Sequence, residues 1–178
     1  MQNNCWIQLH SGKRMFPLAP TPEMISIEDI AHALSNICRF AGHCREFYSV
    51  AQHSVMVSVH VSRKNLMWGL LHDAAEAYLC DIPTPIKKSG MIDGYADLEQ
   101  SILQCVADRF GLEWPVPEEI RKVDTILLNT EARDLGLLSD IWNIDSGFLR
   151  NRIVPVDQKT AYRVFMDWFE NNQPRAVA

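Results

Sequence analysis

An all-α domain is the fold class this sequence predicts, and three observations predict it. Aliphatic residues recur at helical spacing in several separate stretches. Proline, glycine and short polar residues bound those stretches, as they bound helices in general. Extended character is confined to the first few residues. With 178 residues, the chain is expected to form one domain of five to seven helices around a single core, with a short N-terminal β-hairpin. Residues 1–25 are the N-terminal extension, 26–140 the helical core, and 141–178 an irregular loop followed by a last helix.

The run from Trp6 to Phe16 reads as two short extended segments about Ser11-Gly12, and Pro17, Pro20 and Pro22 make a stiff connector. Ser26 with Asp29 three residues on resembles a capping box, and Ile27, Ile30, Ala31, Leu34, Ile37 and Cys38 continue at helical spacing towards a stop at Gly42. A second helix starts near Ser49 and carries His53. A third is expected from Asn65 to Leu79, ended by Asp81-Ile82-Pro83-Thr84-Pro85. A fourth fits Tyr95 to Phe110, with Gly111 as its stop. Pro117 suits the first turn of a fifth, which carries Asp124 and runs towards Leu138. Asp157 caps the last, with Ala161, Val164, Phe165, Trp168 and Phe169 on its apolar side. Trp142, Phe148, Trp168 and Phe169 are expected in the core, and Arg150 and Arg152 on a solvated loop.

Seventeen Lys and Arg against 22 Asp and Glu give a formal charge of -5. A duplex-binding protein needs a basic face, so duplex nucleic acid is excluded as a partner, while a single nucleotide is not. No apolar stretch approaches the ~20 residues that span a bilayer. Met1 to Phe16 lacks a secretory hydrophobic run. The five cysteines are scattered without a C-x-x-C, and Cys38, His43, Cys44 and Cys80 lack structural-zinc spacing. Reduced thiols and a cytoplasmic location are the expectation.

Chemistry concentrates in Leu70-Leu71-His72-Asp73-Ala74-Ala75-Glu76-Ala77-Tyr78-Leu79-Cys80-Asp81. An apolar helix that includes an adjacent imidazole and carboxylate needs a reason, because a buried unpaired charge costs several kcal/mol. His72 and Asp73 stand about 100° apart around a helix, so one ion beside it touches both. Glu76, four residues after His72, shares its face. His53 and Asp124 are isolated polar residues amid aliphatics on two other helices. Two imidazoles and two carboxylates suit Zn, Co, Mn, Fe or Ni better than Mg.

His53, His72-Asp73 and Asp124, in that order on three helical segments, resemble the metal ligands of the HD-domain phosphohydrolase superfamily. The segments Ser35–Gly42, Phe47–Ser54, Leu71–Tyr78 and Asp81–Lys87 are similar to the small phage and prophage nucleotide hydrolases within it. The resemblance covers roughly residues 25 to 140 and implies a compact HD-domain helical bundle. It implies Glu76 and Asp81 as catalytic carboxylates. It implies Arg39, Phe40 and Lys87 as substrate contacts, Arg39 and Lys87 towards phosphate or sugar and Phe40 beside the nucleoside. The expected cofactor is a divalent transition metal (Zn, Co or Mn), and a triphosphate substrate leaves room for an additional Mg. Ala77 departs from the H-D-x-x-E-D of (p)ppGpp hydrolases, and no G-Y-P of the cyclic-di-GMP branch is present. The expected substrate is a deoxynucleotide: dATP for a triphosphohydrolase first, dNMPs for a 5′-deoxynucleotidase second. A non-catalytic nucleotide-binding or interaction module on the same scaffold is the third reading. A homo-oligomer, dimer or hexamer, is implied as well.

Overall fold

A computed structural model describes residues 5–137 and 147–173. Trp142, Leu138 and Pro174 lie outside the described residues. The fold is all-α with a two-stranded hairpin at the N-terminus.

Strands β1 (Ile7–Gln8) and β2 (Arg14–Met15) pair antiparallel, Ile7 opposite Met15. Gly12 takes the turn at φ +82°, a conformation that suits glycine. Met15 is fully buried and anchors the hairpin in the core. Asp29 fastens the hairpin to the first helix, accepting from the Ser11 amide at 2.7 Å and the Ser11 hydroxyl at 2.8 Å. The expected capping box therefore does not form. The hairpin occupies Asp29, and the Ser26 hydroxyl donates to Glu28 at 2.6 Å.

Helix α1 (Ile27–Asn36) ends earlier than its periodicity suggests. Ile37 turns extended, and Cys38 forms an isolated antiparallel bridge with Ser49. Gly42 lies in a 3₁₀ turn from Phe40 to Gly42, not at a helix end. Helix α2 (Val50–His60) starts where expected, and the Ser49 hydroxyl accepts from the Gln52 amide at 3.1 Å.

The largest departure is the third predicted helix. Helix α3 (Leu66–Leu71) stops before His72, and α4 (Glu76–Leu79) resumes after a turn. Within it the Ala74 amide bonds Leu71 O at 3.0 Å and the Glu76 amide bonds Asp73 O at 2.9 Å. These three-residue bonds are 3₁₀-like, a tightening often found at functional sites. One-turn α5 (Thr84–Lys87) takes Pro83 as its N-cap and holds Pro85 in its first turn. Helix α6 (Tyr95–Phe110) matches its prediction and ends at left-handed Gly111. Helix α7 (Glu118–Asp134) takes Pro117 as its N-cap rather than inside its first turn and stops short of Leu138. Helix α8 (Gln158–Asn172) is capped by Asp157, whose carboxylate accepts from the Thr160 amide at 2.7 Å. The broken third helix and the proline turn add two single-turn segments, α4 and α5, to the longer helices.

Helix α2 lies at the centre, packed against α1, α3, α7 and α8. A Cβ on Gly69 would stand 2.6 Å from the Ser58 Cα, so glycine is what lets α3 press against α2. Ala161, Phe165 and Phe169 of α8 cover the other side of the core. Val164 is exposed, and Trp168 is half-buried with its indole donating to Ser58 Oγ. Phe148 does not join the core; it is exposed with the Arg133 guanidinium 5.3 Å from its ring. Arg150 and Arg152 are exposed. Among the described residues, no helix is long and apolar enough to cross a membrane.

Candidate metal centre

Three elements converge on one cluster. Central α2 supplies His53, which has no solvent exposure. The turn after α3 supplies His72 and Asp73, and α7 supplies Asp124. The His53 and His72 Nε2 atoms are 3.3 Å apart. Asp73 Oδ2 lies 3.3 Å from His72 Nε2 and 3.6 Å from His53 Nε2. Asp124 Oδ1 lies 3.2 Å from His53 Nε2. His53, His72 and Asp73 thus form a group able to hold a metal ion, with Asp124 bordering it.

The second nitrogen of each imidazole explains the chemistry. His53 Nδ1 is 2.6 Å from Glu131 Oε1, and His72 Nδ1 is 2.9 Å from the Gly69 carbonyl. Both Nδ1 atoms face acceptors, so an imidazole that held a metal would donate from Nδ1 and turn its Nε2 lone pair to the shared point. Such outer partners orient and strengthen imidazole ligands. Ligand atoms about 2.1 Å from one ion lie roughly 3.0–3.4 Å apart, and the spacings here run from 3.2 to 3.6 Å. The donor set fits a borderline divalent metal.

Charge points the same way. Burial and the Arg39 charge oppose protonation of His53, but Glu131 and Asp124 outweigh them and lift its pKa to about 10. Burial pushes Asp124 up, yet its bond to His53 and the charges of His53, His72 and Arg39 hold it well below the usual carboxylate range. The cluster is rich in negative charge, and a cation is what it accommodates.

Glu131 was not foreseen from the sequence. It is fully buried and accepts from His53, from the Tyr48 hydroxyl at 3.0 Å, and from Arg39 Nε and Nη2 at 3.0 and 2.9 Å. A signal existed: Glu131 stands seven residues, two helical turns, after Asp124 and so shares its side of the helix.

The sequence is 38% identical over 170 residues to the uncharacterized protein YfdR of Escherichia coli (strain K12), a match spanning 93% of this chain and 94% of that protein. The chain belongs to the YfdR family. The uncharacterized protein RCAP_rcc00048 of Rhodobacter capsulatus is 36% identical over 148 residues, 76% of this chain and 75% of that protein. No family model matches the sequence.

In this YfdR-family chain the remaining expected residues border the cluster, with different partners. Arg39 is buried, gives two donors to Glu131, and brings Nη1 to 3.7 Å from Asp73 Oδ2. Through these contacts Arg39 ties Asp73, a candidate ligand, to Glu131. Phe40, half-buried at φ +56°, sets its ring 5.6 Å from the Arg39 guanidinium and packs against a buried apolar cluster that includes Tyr48 and Trp68. Lys87 Nζ is shared by Glu76 at 3.1 Å and Glu99 at 2.8 Å.

Glu76 is 5% exposed, and its Oε2 has no hydrogen-bond partner among the described residues. Burial, Asp73 and Asp81 push its pKa well up, against the pull of Lys87 and Arg39. Asp81 is half-buried. Burial raises its pKa as well, opposed by Arg39 and reinforced by Asp73. Two neighbouring carboxyls that resist ionisation are suited to holding and moving protons.

Proposed function

We propose that this chain is a metal-dependent phosphohydrolase of the HD-domain type, acting on deoxynucleotides. The observation that carries this reading is the convergence of His53 Nε2, His72 Nε2 and Asp73 Oδ2, each imidazole oriented from behind, beside a buried carboxyl that favours its proton. His53, His72, Asp73 and Asp124 would hold Zn, Co or Mn, and a triphosphate would bring additional Mg. A divalent ion so held would polarise the phosphoryl group and make water a nucleophile at neutral pH.

The chain's own groups divide the remaining work. Glu131 and the Gly69 carbonyl fix the imidazole tautomers. Arg39 holds Asp73 and offsets charge near the phosphate. Asp81 accepts a proton from the attacking water, and Glu76 delivers one to the leaving oxygen. Lys87 keeps Glu76 in place through its 3.1 Å bond.

The lead substrate is dATP, cleaved to deoxyadenosine and triphosphate or its phosphate products, as the sequence resemblance implies. The second reading is a 5′-deoxynucleotidase. One observation favours it: Arg39 and Lys87 are both engaged by internal carboxylates, so a single phosphate asks less of them than three do. A non-catalytic binding module is the third reading, and retained proton-holding carboxyls argue against it. The site is expected to work in a cytoplasmic homo-oligomer, dimer or hexamer.

The deciding experiment incubates the purified protein with Mn, Co, Zn or Mg and either dATP or dAMP, and separates the products. Triphosphate from dATP supports the first reading; phosphate from dAMP alone supports the second. No release from either substrate with any metal defeats both.

A further inference from the structure

Two polar groups beside the cluster lack partners among the described residues. One is Glu76 Oε2; the other is the buried hydroxyl of Tyr95, on the first turn of α6. A buried polar atom without a hydrogen bond is costly, so its retention asks for an explanation. Both groups border Lys87. Glu76 Oε1 lies 3.1 Å from Nζ, and Nζ stands 5.8 Å from the Tyr95 ring centroid. Glu76 is influenced by Asp73 and Asp81, whereas Tyr95 is influenced by Lys87, Glu99, Glu76 and Asp81. Glu76 and Tyr95 thus flank the same ammonium, that of Lys87.

The charge around Tyr95 selects what it can meet. The charges of three carboxyl groups, Glu76, Asp81 and Glu99, act on it against one ammonium, Lys87. That setting disfavours another phosphate and accommodates a neutral group with hydroxyls. Burial pushes the Tyr95 hydroxyl up to about 12, so it stays protonated and able to donate at neutral pH.

Resting on the deoxynucleotide reading above, we infer that Tyr95 is a specificity-determining residue whose orphan hydroxyl takes a sugar hydroxyl of the nucleotide. Lys87, held by Glu76 and Glu99, spans the sugar subsite and the catalytic carboxyl. The chain would then select nucleosidic over simple phosphate esters through a group that never touches the phosphate.

Tyr95→Phe removes only the hydroxyl, and deleting an orphan group leaves the fold intact. The test compares wild type and Y95F in two measurements: calorimetric titration with dAMP in the presence of Mn, and the kcat/KM ratio of the cleaved deoxyadenosine nucleotide to p-nitrophenyl phosphate, with Tm followed alongside. One lost hydrogen bond predicts a fall of about five- to tenfold in both dAMP affinity and the ratio, with Tm unchanged or raised. Equal losses on both esters with a lower Tm would assign Tyr95 a structural role and overturn the inference. Unchanged affinity and ratio would overturn it as well, leaving the hydrolase reading in place. A wild-type protein that neither binds nor cleaves a deoxynucleotide would remove the hydrolase reading and this inference together.

Discussion

His53 Nδ1 lies 2.6 Å from Glu131 Oε1, and neither side chain has any solvent exposure. That contact turns the His53 lone pair towards His72 and Asp73, and it joins the candidate metal centre to Arg39 through the same carboxylate. Glu131→Gln keeps the size and removes the charge. Metal affinity is expected to fall about 10- to 100-fold, the usual effect of losing an outer partner. Stability is expected to fall by about 3–5 kcal/mol, because buried Arg39 loses the nearer of its two carboxylates. Metal titration and urea denaturation read the two effects separately.

Metal should stabilise the fold by mass action. An ion at one hundred times its dissociation constant adds about 2.7 kcal/mol. The expected result is a Tm that climbs with Mn, Co or Zn concentration in wild type and returns to its starting value on chelation. His72→Ala should abolish the climb, since it removes one of the two facing nitrogens. A full metal-dependent shift in that variant would mean that the ion binds elsewhere.

Gly69 sits where α3 meets α2, and an added methyl would stand 2.6 Å from backbone, which cannot swing away. Gly69→Ala is expected to cost about 1–3 kcal/mol through overpacking. The Gly69 carbonyl also accepts from His72, so metal affinity should weaken in the same variant. Denaturation midpoints and metal titration check this, and wild-type values in both would show that the contact relaxes freely.

Glu119 provides a pH test far from the cluster. Its carboxylate accepts from the Ser62 hydroxyl at 2.6 Å, the Ser62 amide at 2.9 Å and the Asn65 side chain. The Ser62 and Asn65 side-chain bonds lead in lowering its pKa from the ordinary value. A depressed folded pKa means that the stabilisation is present above the unfolded value of about 4.3 and lost as pH falls through the folded one. Glu119→Gln should therefore be less stable than wild type at pH 7, and the two Tm curves should meet in acid. A constant gap down to pH 2 would contradict the assignment.

Much of the fold was legible because its signals are local. Ser49, Gly111 and Asp157 bound helices through contacts within a few residues, and the structure retains each boundary. Where a local signal met a tertiary competitor, the tertiary one prevailed. Asp29 abandoned the capping box for Ser11, 18 residues away. The His72–Ala75 turn interrupted a helix that periodicity carried through without a break.

The sequence by itself determined the all-α class, the hairpin, and the polar residues His53, His72, Asp73 and Asp124 set among aliphatics. Burial needs no structure to make such residues conspicuous. Only the tertiary structure decided what stands behind and beside them. Glu131 meets His53 across 78 residues and Arg39 across 92, and Lys87 is drawn to Glu76 and Glu99 instead of outward. Those partnerships depend on how α2, α6 and α7 are brought together. Hydrogen-bond partners are assigned by distance in space, which neither helical period nor capping chemistry encodes.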